Sequence, residues 1–324
     1  PIIADRDGHD FIPDAIARGA AAYLTSQPAT VAGATAIEVP DTVRALMAFA
    51  ADRRAQFTGT VIGITGSVGK TSTKDLARAA LATSKSTWAN ERSFNNEQGL
   101  PTALLNTPER AEVLVLDMGM RAFGEITDLC HIARPRIGVV TLVAEAHGDR
   151  VGGIEGVAVA KSELIAALPA SGCAILNAAD ARTKAMGAVS VAPVLLFGKI
   201  EAADVRISAL RLDDLARATF RLDSPWGACE VRLGVSGRHM AHNAAAALAC
   251  VGAVGGDLLA GADALANVGI SAMRMQVQYT PLGATVLNDA YNANPTSMRA
   301  ALDTLAELPA TRRIAVLGLM AEIT

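Results

Sequence analysis

Lys70 and Thr71 stand directly behind two closely spaced glycines, Gly66 and Gly69, at the end of the apolar run in VIGITGSVGKTSTKDL, residues 61–76. An apolar stretch rich in β-branched residues, a glycine turn and a segment with helical character predict a strand, a loop and a helix start. Such a junction points backbone N–H groups and the positive end of a helix dipole at one place, where a polyphosphate can be held. Gly66, Ser67, Val68, Gly69 and Ser72 would cradle the phosphates of ATP. Lys70 would reach the β/γ-phosphates, and the Thr71 hydroxyl would be a ligand of the accompanying Mg²⁺.

The full P-loop pattern, G-x-x-x-x-G-K-[ST], asks for glycine where this chain has Ile64, so the shorter form G-S-V-G-K-T is what stands. A glycine loop that binds no phosphate is the alternative, and the position after a buried-looking strand favours the phosphate. Asp117 closes the apolar run EVLVLD, where a carboxylate needs a cation or water. It reads as a Mg²⁺ ligand or as the start of a turn before Gly119. Residues 90–101, NERSFNNEQGLP, are dense in amides, and spacing alone leaves open whether Asn95 and Asn96 meet a ligand or cap the next helix. His147, in AEAHGD, falls just past a strand on the side where ligands of such sheets bind.

Lys161 interrupts a helical stripe made by Ile154, Ala158, Ile165 and Leu168. Burial there would favour its neutral, nucleophilic amine, unless the stem snorkels to water. Asn243 opens an alanine-rich helix, and Asn294 or Thr296 in YNANPTSM is placed to cap another.

The elements that must position these groups alternate strand and helix from about 60 to 177, with apolar strands of the kind buried on both faces of a parallel sheet. Residues 204–236 change character, and their alternation around SPWG predicts antiparallel strands. Helices are expected over 240–254 and 257–267, then a hairpin, a helix after Pro295, and a last strand in RRIAVLG. The expected division is a partial α/β N-terminal domain over 1–58, a central ATP-binding α/β domain over 59–309, and the opening of a third domain over 310–324.

Across 324 residues, 51% are hydrophobic and only 4% aromatic, so the core must be aliphatic. A net charge of −3 carries no electrostatic footprint for nucleic acid. Cys130, Cys173, Cys229 and Cys250 lie too far apart for a metal knuckle or a redox pair and read as core residues in a reducing compartment. No apolar run reaches membrane-spanning length. A cytoplasmic monomer is expected. The start at Pro1 and the ending just after a fresh strand suggest that both ends are cut.

Seven blocks in order, TGSVGKTSTKD, SFNNEQGLPTALL, LDMGMRAFGEI, AHGDRVGGIEGVAVAKSEL, GRHMAHNAAAALA, NDAYNANPTSMRAAL and VLGLMAEI, resemble the Mur ligase family. The resemblance implies a central P-loop domain with a mostly parallel sheet and a Rossmann-like C-terminal domain. It implies an ATP-dependent amide ligase joining D-alanyl-D-alanine to UDP-N-acetylmuramoyl-tripeptide in peptidoglycan synthesis, through an acyl phosphate. By the same resemblance Lys70, His147 and Lys161 are catalytic, and Lys161 carries a carbamate. Thr71, Asp117, His147 and Lys161 serve two Mg²⁺ ions, while Asn243 and Asn294 lie beside the adenine and Arg274 near the phosphates. Ser93, Asn95 and Asn96 belong to the loop that meets the UDP-sugar.

The departures are Asp117 where glutamate is usual, Leu142 where many relatives have asparagine, and GDRVGG after the histidine. Competing readings are a sister ligase, of the third-residue-adding or folylpolyglutamate type, and a nucleotide-binding module without ligation. With the third domain only begun, the chain alone is expected to bind nucleotide without completing the amide.

Overall fold

Val61 turns to one side of its strand while Ile62 and Ile64 turn to the other, and all three are fully buried. A strand apolar on both faces has to be covered by helices twice, which is the reason for a three-layer α/β/α arrangement. The computed structural model describes residues 7–29, 31–90, 94–144 and 151–320.

The N-terminal unit contains α1 (Ile12–Ala17), β1 (Ala22–Thr25), β2 (Thr35–Glu38) and α2 (Thr42–Ala55). The alternating segment that follows contains β3 (Thr60–Thr65), α3 (Lys70–Leu81), β4 (Thr87–Ala89), α4 (Gly99–Leu105), β5 (Val113–Asp117), α5 (Glu125–Ala133), β6 (Ile137–Val140), α6 (Gly153–Ala166), β7 (Cys173–Asn177), α7 (Ala181–Ala185) and β8 (Val194–Gly198). Then come β9 (Val205–Leu212), β10 (Arg217–Ser224), β11 (Gly227–Ser236), α8 (Met240–Ala253), α9 (Leu258–Ala264), β12 (Gln276–Tyr279), β13 (Thr285–Asn288) and α10 (Pro295–Glu307).

One sheet runs in the order β11-β10-β9-β8-β7-β6-β3-β5-β4. The strands from β4 through β9 are parallel, and β10 and β11 extend the same sheet antiparallel at one edge. The antiparallel segment is thus a continuation of the sheet. Sequence reading left residues 178–203 without elements, and β8 there is the strand that joins the two parts. In the register, Ile64 lies opposite both Asp117 and Val139, so β3, β5 and β6 end together and release their following loops at one edge.

On one face α3, α8 and α9 pack against Ile62, Ile64, Val113, Val115, Val139 and Ile175. On the other, α2, α4, α5 and α6 cover Val61, Leu114, Leu116, Val140 and Leu176. Helix α8 is buried from Met240 to Gly252 apart from His242. Its alanines make that possible, because a row of methyl groups lets it lie close to both the sheet and α3. Among the described residues no helix is long and apolar enough to cross a membrane.

β1 and β2 form a separate two-stranded parallel sheet. RRIAVLG does not form its strand: residues 312–320 have no regular structure, with Ile314 63% and Val316 94% exposed. An apolar β-prone run becomes a strand only where a neighbour completes its hydrogen bonds, and among the described residues none is alongside.

Helix α2 is tied to the central layers by arginines. Arg54 donates from Nε to Ala133 O (2.6 Å), from Nη1 to Phe57 O (2.9 Å) and from Nη2 to Arg134 O (3.1 Å). Arg53 donates to Thr107 O at 3.0 Å. The Arg54 guanidinium thus serves the carbonyls at the end of α5, where a cation also suits the helix dipole. Arg54→Met, which keeps the stem and removes the donors, should lower the unfolding free energy by about 1–3 kcal/mol in denaturant titration.

Candidate nucleotide site

Gly66 has φ +148, and a Cβ built there would lie 1.9 Å from Thr141 Oγ1. Gly69 has φ +87, and its Cβ would lie 2.7 Å from Asn243 Oδ1. Both the backbone conformation and the space exclude a side chain, so the loop between them sits close to β6 on one side and α8 on the other. Thr141 Oγ1 donates to Val68 O (2.6 Å), Ser67 N donates to Leu142 O (2.7 Å), and Ser67 Oγ donates to Ala144 O (2.9 Å). These bonds fix the curvature of the loop before any ligand arrives. Lys70, the first residue of α3, folds its Nζ back to Gly66 O at 2.7 Å.

The Thr71 hydroxyl donates to Asp117 Oδ2 at 2.8 Å, and Asp117 is fully buried. Asn90 Oδ1 accepts from Asp117 N at 3.0 Å, while Asn95 Nδ2 stands 3.5 Å from Asp117 Oδ1. The carboxylate is therefore no turn residue. It is a strand-end acceptor facing the helix start. Two hard oxygen donors side by side below a phosphate-sized loop fit Mg²⁺, which takes one or two protein ligands and leaves the rest to phosphates and water. Among the described residues no three His, Cys, Asp or Glu side chains come together.

The amide-rich loop divides its labour. Asn96 Oδ1 accepts from Gly99 N at 2.8 Å and so caps α4, whereas Asn95 turns toward Asp117 and its carbonyl receives Gly119 N at 2.8 Å. Ser93 and His147 lie outside the described residues. Lys161 is 3% exposed, in a helix with Val157, Ala160, Leu164 and Ile165 buried around it, so its stem does not snorkel to water. Ser72 is buried in the first turn of α3.

Asn243, 9% exposed, faces Gly69 from the first turn of α8. Asn294 caps α10: its Oδ1 accepts from Ser297 N (2.9 Å) and its N–H donates to Ser297 Oγ (3.0 Å). Arg274 lies over the Tyr291 ring at 4.1 Å, on the stretch that precedes β12.

Several residues that hold this geometry escaped sequence reading. Lys74, 2% exposed, donates to Asn90 O at 2.6 Å; Asn177 Nδ2 donates to Thr141 O at 2.8 Å; Asp180 accepts from Val143 N at 2.8 Å. Asn90, Thr141 and Asn177 share a signal that was there to be used: each is a polar residue at the carboxyl end of an apolar strand, where such sheets bind ligands.

A strand–glycine loop–helix at the carboxyl ends of a parallel sheet, with a threonine hydroxyl on a strand-end carboxylate, defines a P-loop nucleotide-binding protein. The chain belongs to the Mur ligase family: the Mur ligase middle domain model matches residues 64–251, and the model for the Mur ligase, glutamate ligase domain matches residues 273–324. It is similar to the UDP-N-acetylmuramoyl-tripeptide–D-alanyl-D-alanine ligase of Mycobacterium tuberculosis, at 41% identity over 99% of this chain and 68% of that protein. Among solved structures it resembles MurF from Acinetobacter baumannii (TM-score 0.85, 31% identity, 94% of this chain and 66% of that one). It also resembles the MurF ligase from Thermotoga maritima in complex with ADP (TM-score 0.81, 28% identity, 94% and 70%). The chain thus spans about two thirds of the length of the relatives it matches.

Two histidines flank the start of α8. Burial pushes the His239 imidazole down to about 4 from the ordinary 6.5, with His242 adding to the effect, and burial also lowers His242, helped by Lys199. In the folded protein His239 stays neutral until the pH nears 4, whereas the unfolded chain binds a proton below about 6.5. Its contribution is therefore complete above pH 6.5 and is lost as pH falls through that window. His239 keeps a partly exposed edge, which holds the effect to on the order of 2 kcal/mol. His239→Gln should flatten the pH dependence of unfolding between about pH 6.5 and 4, measured by denaturant titration at several pH values.

Proposed function

We propose that this chain holds the ATP site and acyl-activating machinery of a ligase that joins D-alanyl-D-alanine to UDP-N-acetylmuramoyl-tripeptide. The observation that carries the reading is the buried Thr71–Asp117 pair beneath the Gly66–Gly69 loop, at the point where β3, β5 and β6 end together. The family and the similarity to the D-alanyl-D-alanine ligases named above support the substrate assignment.

A carboxylate is a poor electrophile. Phosphorylation by ATP turns the peptide's terminal carboxylate into a mixed anhydride, and attack by the D-alanyl-D-alanine amine expels phosphate and forms the amide. The protein's share of such chemistry is alignment and charge neutralisation. Lys70, now bonded to Gly66 O, would exchange that carbonyl for the β/γ-phosphate oxygens. Thr71 and Asp117 would hold Mg²⁺, which neutralises charge on the phosphates. Asn95 orients Asp117, and Asn96 sets the start of α4, so these neighbouring residues tie the amide loop, which would meet the UDP-sugar, to β5 and to α4.

Asn243 stands against Gly69 and, with Asn294, would line the adenine side; the capping duty of Asn294 occupies its carbonyl oxygen. Arg274 would approach the phosphates. His147 and Lys161 are proposed to serve a second Mg²⁺. Lys161 is buried, and CO₂ adding to its neutral amine with loss of a proton would give a carbamate anion suited to a cation. The domain division at 58/59 and 309/310 is retained as part of this proposal.

Lys70→Ala should weaken Mg²⁺-ATP binding roughly ten- to a hundredfold in calorimetry, with the circular dichroism spectrum unchanged. Equal affinity in the two proteins would remove the site assignment. Lys161→Ala should abolish ligation in the complete enzyme, and short carboxylic acids should restore part of the rate; no restoration, with ¹³C-bicarbonate giving no carbamate signal on wild type, would dismiss the modification.

A further inference from the structure

Asp75 lies one helical turn after Thr71 on α3 and is 7% exposed. Its Oδ2 accepts from both Ser271 N (2.8 Å) and Ser271 Oγ (2.7 Å), and Lys74 Nζ stands 3.6 Å from Oδ1. Lys74 in turn donates to Asn90 O, and Asn90 holds the backbone N–H of Asp117. An unbroken run of polar groups thus leads from the Thr71–Asp117 pair to Ser271.

Ser271 begins the turn SAMRM that carries Arg274. Both neighbours of Arg274 are non-glycine residues in the left-handed region, Met273 at φ +58 and Met275 at φ +50. Such conformations are costly for an unbranched side chain and persist only where the surroundings over-determine them. The surroundings do so here. Ser271 is clamped by Asp75, Met275 N donates to Asp289 Oδ1 at 2.9 Å, and Tyr291 N donates to Met273 O at 3.2 Å. Between these clamps Arg274 rests on the Tyr291 ring, and its Nε is buried without a hydrogen-bond partner among the described residues.

We infer that Asp75 and Ser271 are positioning residues that lock the strained SAMRM turn to the P-loop helix, so that Arg274 is presented to the nucleotide phosphates in register with Thr71 and Asp117. The proposal rests on the reading of Arg274 as a phosphate-side group. The carboxylate's role is to convert the placement of α3 directly into the placement of Arg274. A turn held only by its own backbone would relax from two left-handed methionines.

Calorimetry of Mg²⁺-ATP with the full 324-residue chain tests this, using Ser271→Ala, Ser271→Thr, Asp75→Asn, Arg274→Ala and the double variant Ser271→Ala/Arg274→Ala, with Lys70→Ala as the control for the nucleotide site. Ser271→Ala and Asp75→Asn should weaken binding roughly three- to tenfold, and Ser271→Thr, which keeps the hydroxyl, should bind as wild type. On the Arg274→Ala background, Ser271→Ala should cost nothing further, because the pair acts through that arginine. Full additivity of the two losses, no loss in Ser271→Ala with a folded spectrum, or no effect of Arg274→Ala would overturn the positioning role while Lys70→Ala still upholds the nucleotide site. Absence of ATP binding by wild type would sink the site and the inference together.

Discussion

The hydrogen bond from Thr71 to Asp117 is the constraint around which the central domain is arranged. A fully buried carboxylate costs several kcal/mol unless its oxygens are met, and here the donor comes from the first turn of a different element. Meeting it requires α3 to start at the end of β5, and α3 can start there only if β3 lies beside β5 and the chain turns through two glycines. The parallel register and the loop curvature are therefore consequences of the same demand. The grouping of strand ends follows from them.

Small residues make the close approaches affordable. Helix α8 reaches the loop because its buried face is alanine, and this brings Asn243 to within contact of the space that a Gly69 side chain would fill. Larger residues along α8 would lift it from α3 and carry Asn243 away with it. The aliphatic, aromatic-poor composition is thus part of the site's construction as well as of the core's.

Polar ties add direction to the core packing that holds the outer elements. Arg53 and Arg54 join α2 to backbone carbonyls, Arg238 pairs with Glu307 of α10 at 2.8 Å, and Asp75 holds Ser271. Directional bonds of this kind orient a segment without burying it. They suit parts that have to meet a ligand or another domain at a set angle.

Much of the site was legible in the linear chain because its chemistry is local. The strand, the glycines, Lys70 and Thr71 are contiguous, and the helical period put Lys161 on an apolar stripe whose burial the fold decided. Parallel and antiparallel regions could be separated because continuous apolar runs and strict alternation reflect different burial. What tertiary structure decided were partnerships between segments far apart in sequence. Asn95 and Asn96, equivalent on paper, took opposite duties because one faces Asp117 and the other faces the start of α4. RRIAVLG has every property of a strand except a neighbour, and β8 was overlooked because its short run is marked mainly by the strands on either side of it. Asp75 reads as an ordinary helix carboxylate until Ser271, nearly two hundred residues later, is folded against it. Periodicity and motif record what a residue does with its chain neighbours; hydrogen bonds across the fold depend on distances that only packing sets.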